Sequence, residues 1–254
     1  MFTNAIVRTP GRSIVEGLSN SKTLGLPNYK QAIIQHQSYI DALTECGLDV
    51  HVLEPCEEYP DSTFVEDVAL ITPNCAIITR PGVLSRRGEV YEIEFVLKQR
   101  FNNIEVIEAP GTIEGGDIMM VGEHYFIGLS ERTNLEGARQ VIQILKKYDM
   151  SGSTISLKKV LHLKTGLSYL EKNNLVVCGE FINDSCFEKY NPIEIPENES
   201  YAANCIWVNE SVIIPLGYPT AKQRIMNAGY TVIETDVSEF EKLDGGLSCL
   251  SLRY

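Results

Sequence analysis

The stretch LDGGLSC at 243–249 is followed by LSLRY at 250–254, which reads as one strand with no hairpin partner after it. NAIVR at 4–8, a short apolar run ahead of any helical pattern, reads as that partner. Joining them brings the two ends of the chain into one sheet. Between them a single succession recurs: a helix, a short apolar strand, a polar or glycine-containing junction, then two strands around a tight turn. An array of this kind that closes on itself has few exposed sheet edges.

In the first copy, PNYKQAIIQHQSYIDALTECG (27–47) sets Ala32, Ile33, His36, Ile40 and Leu43 at helical spacing, with Gly47 as the stop. A strand at 48–53 leads to the junction DSTFVED (61–67), and VALIT and AIITR turn at Pro73-Asn74. The second copy has a helix near 89–100, the strand VIEA, the junction TIEGGD (112–117), then IMMV and YFIG. A helix over 134–148 opens the third, with the junction HLKTG (162–166) and the strands LSYLE and LVVCG turned at Asn173-Asn174. The fourth has a shorter helical stretch near 185–190, IEI, the junction SYAAN (200–204), CIWV and VIIPL. The fifth has a helix over 220–228 stopped by Gly229, then TVIET and the junction LDGGLSC. The expectation is one α/β domain over 1–254, built from pseudo-five-fold repeats and closed by pairing of the terminal strands. The competing reading is a generic α/β domain whose spacing is coincidental. Five repeats about an axis bring five junctions to one place.

Composition narrows the classes of function. Of the 254 residues, 44% are apolar and 22% charged, as in soluble globular domains. A net charge of −12, with no Lys/Arg stripe, disfavours nucleic acid as a partner and suits a cationic ligand. No apolar run is long enough to span a bilayer, and MFTNAIVRTPGRS lacks the pattern of a secretory signal, so the cytoplasm is expected. Seven cysteines (46, 56, 75, 178, 186, 205 and 249) are irregularly spaced without a C-x-x-C, which argues against a disulfide framework or structural zinc.

The junctions carry the polar chemistry. Paired glycines before Cys249 present that cysteine at a turn. His162 opens the third junction, across the axis from it. A thiol and an imidazole distant in sequence and adjacent in space are the pattern of a nucleophile with an acid/base partner. The alternatives are a buried apolar cysteine and a structural histidine. His36, His51 and His124 fall on a helix, a strand and a hairpin turn, and none is assigned chemistry. Asp61, Glu66, Asp67, Glu114 and Asp117 converge on the same place, where they repel one another unless a cation sits among them. With one histidine at the axis, a metal is disfavoured, and a planar guanidinium held by carboxylates fits better. Arg86 and Arg132, in polar loop settings, are each able to clamp a carboxylate. A guanidinium at one end and a carboxylate at the other describe an arginine-like amino acid.

DSTFVED, ITRPG, SRRGE, APGTIEGGDIMMVG, ERTNLEGARQ, VLHLKTGLSYLE, ESYAANCIWVNE and DGGLSCLSLR together resemble the bacterial dimethylarginine dimethylaminohydrolases, of the guanidino-group-modifying (pentein) superfamily. The likeness spans nearly the whole chain. It implies a five-bladed α/β propeller and hydrolysis of asymmetric dimethylarginine or monomethylarginine to citrulline and the matching methylamine, without cofactor or metal. Carried over, Cys249 is the nucleophile, His162 the general acid/base, and Glu114 supports the guanidinium and His162. Asp61, Phe64, Glu66 and Asp67 line the substrate pocket, with Asp67 most directly on the guanidinium. Arg86 and Arg132 bind the substrate carboxylate, Leu18 in the loop EGLSNS belongs to a lid, and Leu243 lends a backbone carbonyl. Relatives of this family are often homodimers.

Arginine deiminases share the Cys, His and Glu-Gly-Gly-Asp elements and are the runner-up. They carry an aspartate two residues after the histidine, where this chain has Lys164, and an arginine where it has Glu66. A dimethylated nitrogen has no hydrogens to give a second carboxylate, which would be left buried and unpaired. Both departures favour the methylated substrate. A non-catalytic binding propeller is the third reading, and it gives no reason for Cys249, His162 and Glu114 to share the axis.

Overall fold

The computed structural model describes residues 1–20 and 23–254; Ser21, which ends the expected lid stretch EGLSNS, lies outside the described residues. Among the described residues, five three-stranded sheets make up the α/β fold, and all five are wired alike. In each, a central strand runs antiparallel to one neighbour and parallel to the other. The central strand Asn4–Arg8 lies between Leu252–Arg253 (antiparallel) and Asp49–Leu53 (parallel), so the two ends of the chain do share a sheet. Ala76–Ile78 lies between Ala69–Ile71 and Ile104–Val106. His124–Leu129 lies between Ile118–Val121 and Ser151–Ser156. Asn174–Val177 lies between Leu167–Tyr169 and Asn191–Glu194, and Ser211–Pro215 between Ile206–Val208 and Thr231–Thr235.

The central strands are covered on both faces, which is why they carry apolar runs such as Ala5–Val7 in NAIVR and Val212–Pro215 in SVIIP. The parallel strands are half exposed, and their sequences are correspondingly weak. SGSTIS buries only Ile155 among its side chains, so it gave no apolar signal, and the strand before the third junction was not anticipated.

Four sheets cross from central to parallel strand through a helix: Tyr29–Glu45, Val90–Lys98, Leu135–Lys147 and Pro219–Asn227. Asn28 and Asn134 cap two of these, accepting hydrogen bonds from Gln31 N and Gly137 N. The fourth repeat differs from expectation. Its crossover holds only the 3₁₀ turns Gly179–Phe181 and Ser185–Phe187. Asp184 accepts the Cys186 N–H in a local turn, an alternative to helical bonding in a segment too short to nucleate a helix. The hairpin turn there also comes earlier than expected. Glu171, Lys172 and Asn173 hold the left-handed angles, while Asn174 already pairs with Asn191.

All five expected junctions exist, and each contains a 3₁₀ turn: Val65–Val68, Gly115–Asp117, Leu163–Thr165, Glu197–Ala203 and Ser248–Leu250. The first packs on the second, the second on the third and the third on the fourth; the fifth packs on the first and second, and Tyr201 of the fourth reaches the Gly245 carbonyl of the fifth. The structure thus brings residues 61–67, 112–117, 162–166 and 243–249 together. Among the described residues, no helix is long and apolar enough to cross a membrane.

Candidate active site

A cavity with about 410 Å³ of empty space, mouth included, opens where these junctions meet. Its wall holds Asp61, Phe64 and Asp67 from the first junction, His162 from the third, Leu243 and Cys249 from the fifth, with Arg86, Arg132 and Leu18. Glu114 and Glu66 are absent from that wall, for different reasons.

Cys249 sits in the turn Ser248–Leu250 and is 7% exposed. The Gly246 N–H donates to its Sγ at 3.4 Å. Burial, then the charges of Asp67 and Glu66, push the thiol up to about 12, against the opposing pull of that N–H and of Lys164. His162 goes the other way. Burial lowers its pKa, but the hydrogen bond to Glu114 and the charges of Asp67, Asp117 and Glu114 outweigh it and raise the ring to about 9. Nε2 of His162 lies 2.8 Å from Oε2 of Glu114. The resting site at neutral pH therefore holds a thiol and an imidazolium. Alkylation of Cys249 by iodoacetamide, followed by mass spectrometry, is expected to be slow at pH 7 and to rise continuously past pH 9, since only the thiolate reacts. A plateau below pH 7 would contradict this.

Glu114 is fully buried behind His162. Its Oε1 accepts the Gly82 N–H at 3.1 Å and lies 3.6 Å from Nη1 of Arg132. Asp117 braces the same histidine turn, accepting the Leu163 N–H at 3.0 Å and the Ser130 hydroxyl at 2.7 Å. Gly116 has to be glycine, because a Cβ there would stand 2.9 Å from Nδ1 of His162 and 3.0 Å from Oδ1 of Asp67. Asp67, Glu114 and His162 bring potential ligand atoms within 4.8 Å of one another. Those atoms are engaged with Arg86, Gly116, Gly82 and each other, which makes the trio a charge network rather than an open ligand set.

Asp67 is one of the carboxylates in the cavity wall, with Asp61 and Asp244. Burial opposes its charge, but Arg86, His162 and the Gly116 N–H hold its pKa below the usual range. Arg86 is more committed than its sequence setting suggested. It bonds Asp67 at 2.7 Å, grips Glu89 through Nε and Nη2, and donates to the carbonyls of Asp61 and Phe64. Arg132 is held more loosely and is 15% exposed at its side chain. Asp61 accepts the Leu18 N–H at 2.9 Å, and Asp244 accepts the Asn20 N–H at 2.6 Å, so the loop over residues 18–20 is tied to two sides of the cavity.

Glu66 departs from the expectation that it lines the substrate pocket. Its Oε1 takes the Lys164 ammonium at 2.5 Å, and both residues line a second cavity that also holds Trp207 and Arg253. Consecutive residues of a 3₁₀ turn project about 120° apart, so Glu66 and its neighbour Asp67 cannot face one pocket. Both ends of this ion pair are largely buried, with side-chain exposures of 15% and 7%. Lys164→Met is expected to cost about 3–5 kcal/mol in urea unfolding, because Glu66 is left buried without a counter-charge. Adding Glu66→Leu should restore most of it. A loss within about 1 kcal/mol for the single variant would contradict this account.

Sequence reading missed Glu89 and the bracing role of Asp117. Glu89 lies three residues after Arg86, a helical ion-pair spacing that was available as a signal. The Ser130 and Leu163 contacts of Asp117 join remote segments and had none.

The profile described as N,N dimethylarginine dimethylhydrolase, eukaryotic, matches residues 22–251. The chain is 59% identical over its whole length to the N(G),N(G)-dimethylarginine dimethylaminohydrolase of Pseudomonas aeruginosa, covering all of both chains. The structure of a cysteine-to-serine mutant of a Pseudomonas aeruginosa enzyme of this name, complexed with citrulline, superposes with a TM-score of 0.99 at 58% identity, over all of both chains. A histidine-to-glycine dimethylarginine dimethylaminohydrolase in adduct with S-methyl-L-thiocitrulline gives the same TM-score, identity and coverage. The profile match and the full-length identity both lead to the same conclusion: this chain belongs to the dimethylarginine dimethylaminohydrolase family.

Proposed function

We propose that the protein hydrolyses asymmetric dimethylarginine, and monomethylarginine, to citrulline and dimethylamine or methylamine. The observation that carries this is one cavity in which Cys249 and His162 share a wall with Asp67, a carboxylate held ionised. The substrate guanidinium pairs with Asp67, and its positive charge offsets the acids that keep Cys249 a thiol. The thiol proton passes to solvent as the cation binds, since His162 is already protonated, and the thiolate attacks the guanidinium carbon. His162, already protonated, gives its proton to the departing amine, which would otherwise leave as an amide anion. A covalent thiouronium remains on Cys249. Neutral His162 then takes a proton from water, which attacks the same carbon; the adduct expels the thiolate, its hydroxyl proton is lost as the citrulline carbonyl forms, and Cys249 regains a proton as the product leaves. Glu114 stabilises the charged ring throughout. The chain needs no metal or cofactor for these steps.

Arg132 is the better placed cation for the substrate carboxylate, with Arg86 acting chiefly to hold Asp67. Leu18, Asp61, Phe64 and Leu243 complete the pocket around the amino acid. The five sheets are the blades of a five-bladed propeller of the pentein type, in a single domain over 1–254, and the protein works in the cytoplasm as a homodimer. The deiminase reading is disfavoured by Lys164, which puts a cation on Glu66 rather than a second carboxylate beside the guanidinium. Turnover is the test: asymmetric dimethylarginine should give citrulline and dimethylamine in equal amounts, and absence of citrulline would overturn the proposal.

A further inference from the structure

The first, third and fifth junctions put side chains in the cavity wall and the second stands behind His162 through Glu114, whereas the fourth, Glu197–Ala203 with Asn204 after it, puts none there. Asn204 is nevertheless buried, and its amide reaches two of the other junctions. Nδ2 donates to the Lys164 carbonyl at 3.0 Å and to the Ser248 hydroxyl at 3.2 Å. Oδ1 accepts the Ser248 N–H at 2.9 Å. Lys164 is two residues after His162, and Ser248 immediately precedes Cys249. One planar amide therefore spans the turn bearing the acid/base and the turn bearing the nucleophile.

The same amide fixes a third group. A Cβ on Gly246 would stand 2.5–2.8 Å from the Asn204 amide atoms, so the Gly246 backbone lies flat against them. That backbone supplies the N–H on Cys249 Sγ. Tyr201 of the same junction adds a bond from its hydroxyl to the Gly245 carbonyl at 2.7 Å. The paired glycines thus serve a close approach to the fourth junction as well as the turn itself.

We propose that Asn204 is a positioning residue that sets the separation of Cys249 from His162 and holds the Gly246 N–H on the sulfur. The inference rests on the hydrolytic reading above, which makes that separation matter. Its mechanism is geometric: a displacement of about 1 Å between reacting groups costs on the order of a hundredfold in rate. Because Asn204 touches no substrate, the loss falls on kcat rather than KM.

The test compares Asn204→Ala and Asn204→Asp with the wild type. Asn204→Asp keeps the size and the acceptor for Ser248 N but sets an oxygen against the Lys164 carbonyl, so it serves if the alanine variant does not fold. With folding verified by circular dichroism, kcat should fall about a hundredfold with KM within about threefold. Iodoacetamide alkylation of Cys249 at a fixed alkaline pH should slow about tenfold, the equivalent of one pKa unit. A wild-type kcat, or an unmoved alkylation rate, in a folded variant would overturn the proposal. Alkylation needs no substrate, so it reads the brace even if the wild type proves inactive on methylarginines, which would defeat the hydrolytic reading instead.

Discussion

Cys249→Ser should lower kcat for asymmetric dimethylarginine by about 10⁴-fold or more while the protein remains folded. A serine hydroxyl is a far weaker acid than a thiol, and this site already resists an anion at residue 249. Burial and the charges of Asp67 and Glu66 disfavour it, and His162 is protonated and so unable to accept a proton. No group in the cavity compensates for the lost acidity. The side chain itself is nearly isosteric and 7% exposed, so unfolding free energy should stay within about 2 kcal/mol of wild type. Steady-state kinetics and urea unfolding measure the two quantities. Turnover within tenfold of wild type would remove Cys249 from the mechanism.

His162→Gly should lower kcat by about 10²–10⁴-fold, the usual contribution of a positioned acid/base. The more telling result is qualitative. Both steps need the ring, as an acid for the departing amine and as a base for water. A substrate analogue with a good leaving group bypasses the first need alone, so the variant should trap a covalent adduct. Intact mass spectrometry during incubation should show one adduct per chain, longer-lived than in the wild type. Glu114 survives the change with the Gly82 N–H still on Oε1 and Arg132 3.6 Å away, so its charge is not stranded. Rapid loss of the adduct at wild-type rates would show that another group activates the water.

The sequence made the plan of the fold readable because the repeat unit has one strongly marked member. Each central strand is buried on both faces and must be apolar, and each junction must turn, so strands such as NAIVR and junctions such as TIEGGD stand out. The partly exposed strand SGSTIS and the helix-free crossover over 179–190 carry no such constraint and were misread or unseen. Among site residues, those at junctions were found because the repeat itself says that junctions converge. Side-chain direction within a junction was not legible. Glu66 and Asp67 are neighbours in sequence, yet one meets Lys164 at a second cavity and the other faces Cys249. Arg86 was readable as a cation in a loop but not as a residue whose donors are already engaged by Asp67, Glu89 and two carbonyls. Asn204 was part of a junction motif, and only its amide contacts to Lys164 and Ser248 distinguish it from a structural polar residue.

The central claim is that this cavity takes a methylated guanidinium, with Asp67 as its partner and no second carboxylate from position 164, where Lys164 turns to Glu66 at the other cavity. Citrulline formation from asymmetric dimethylarginine and from arginine, measured side by side as kcat/KM, tests it most directly. The expected preference for the dimethylated substrate is about a hundredfold or more, since position 164 offers the unmethylated nitrogen no second carboxylate. Equal turnover of the two, or faster turnover of arginine, would contradict it.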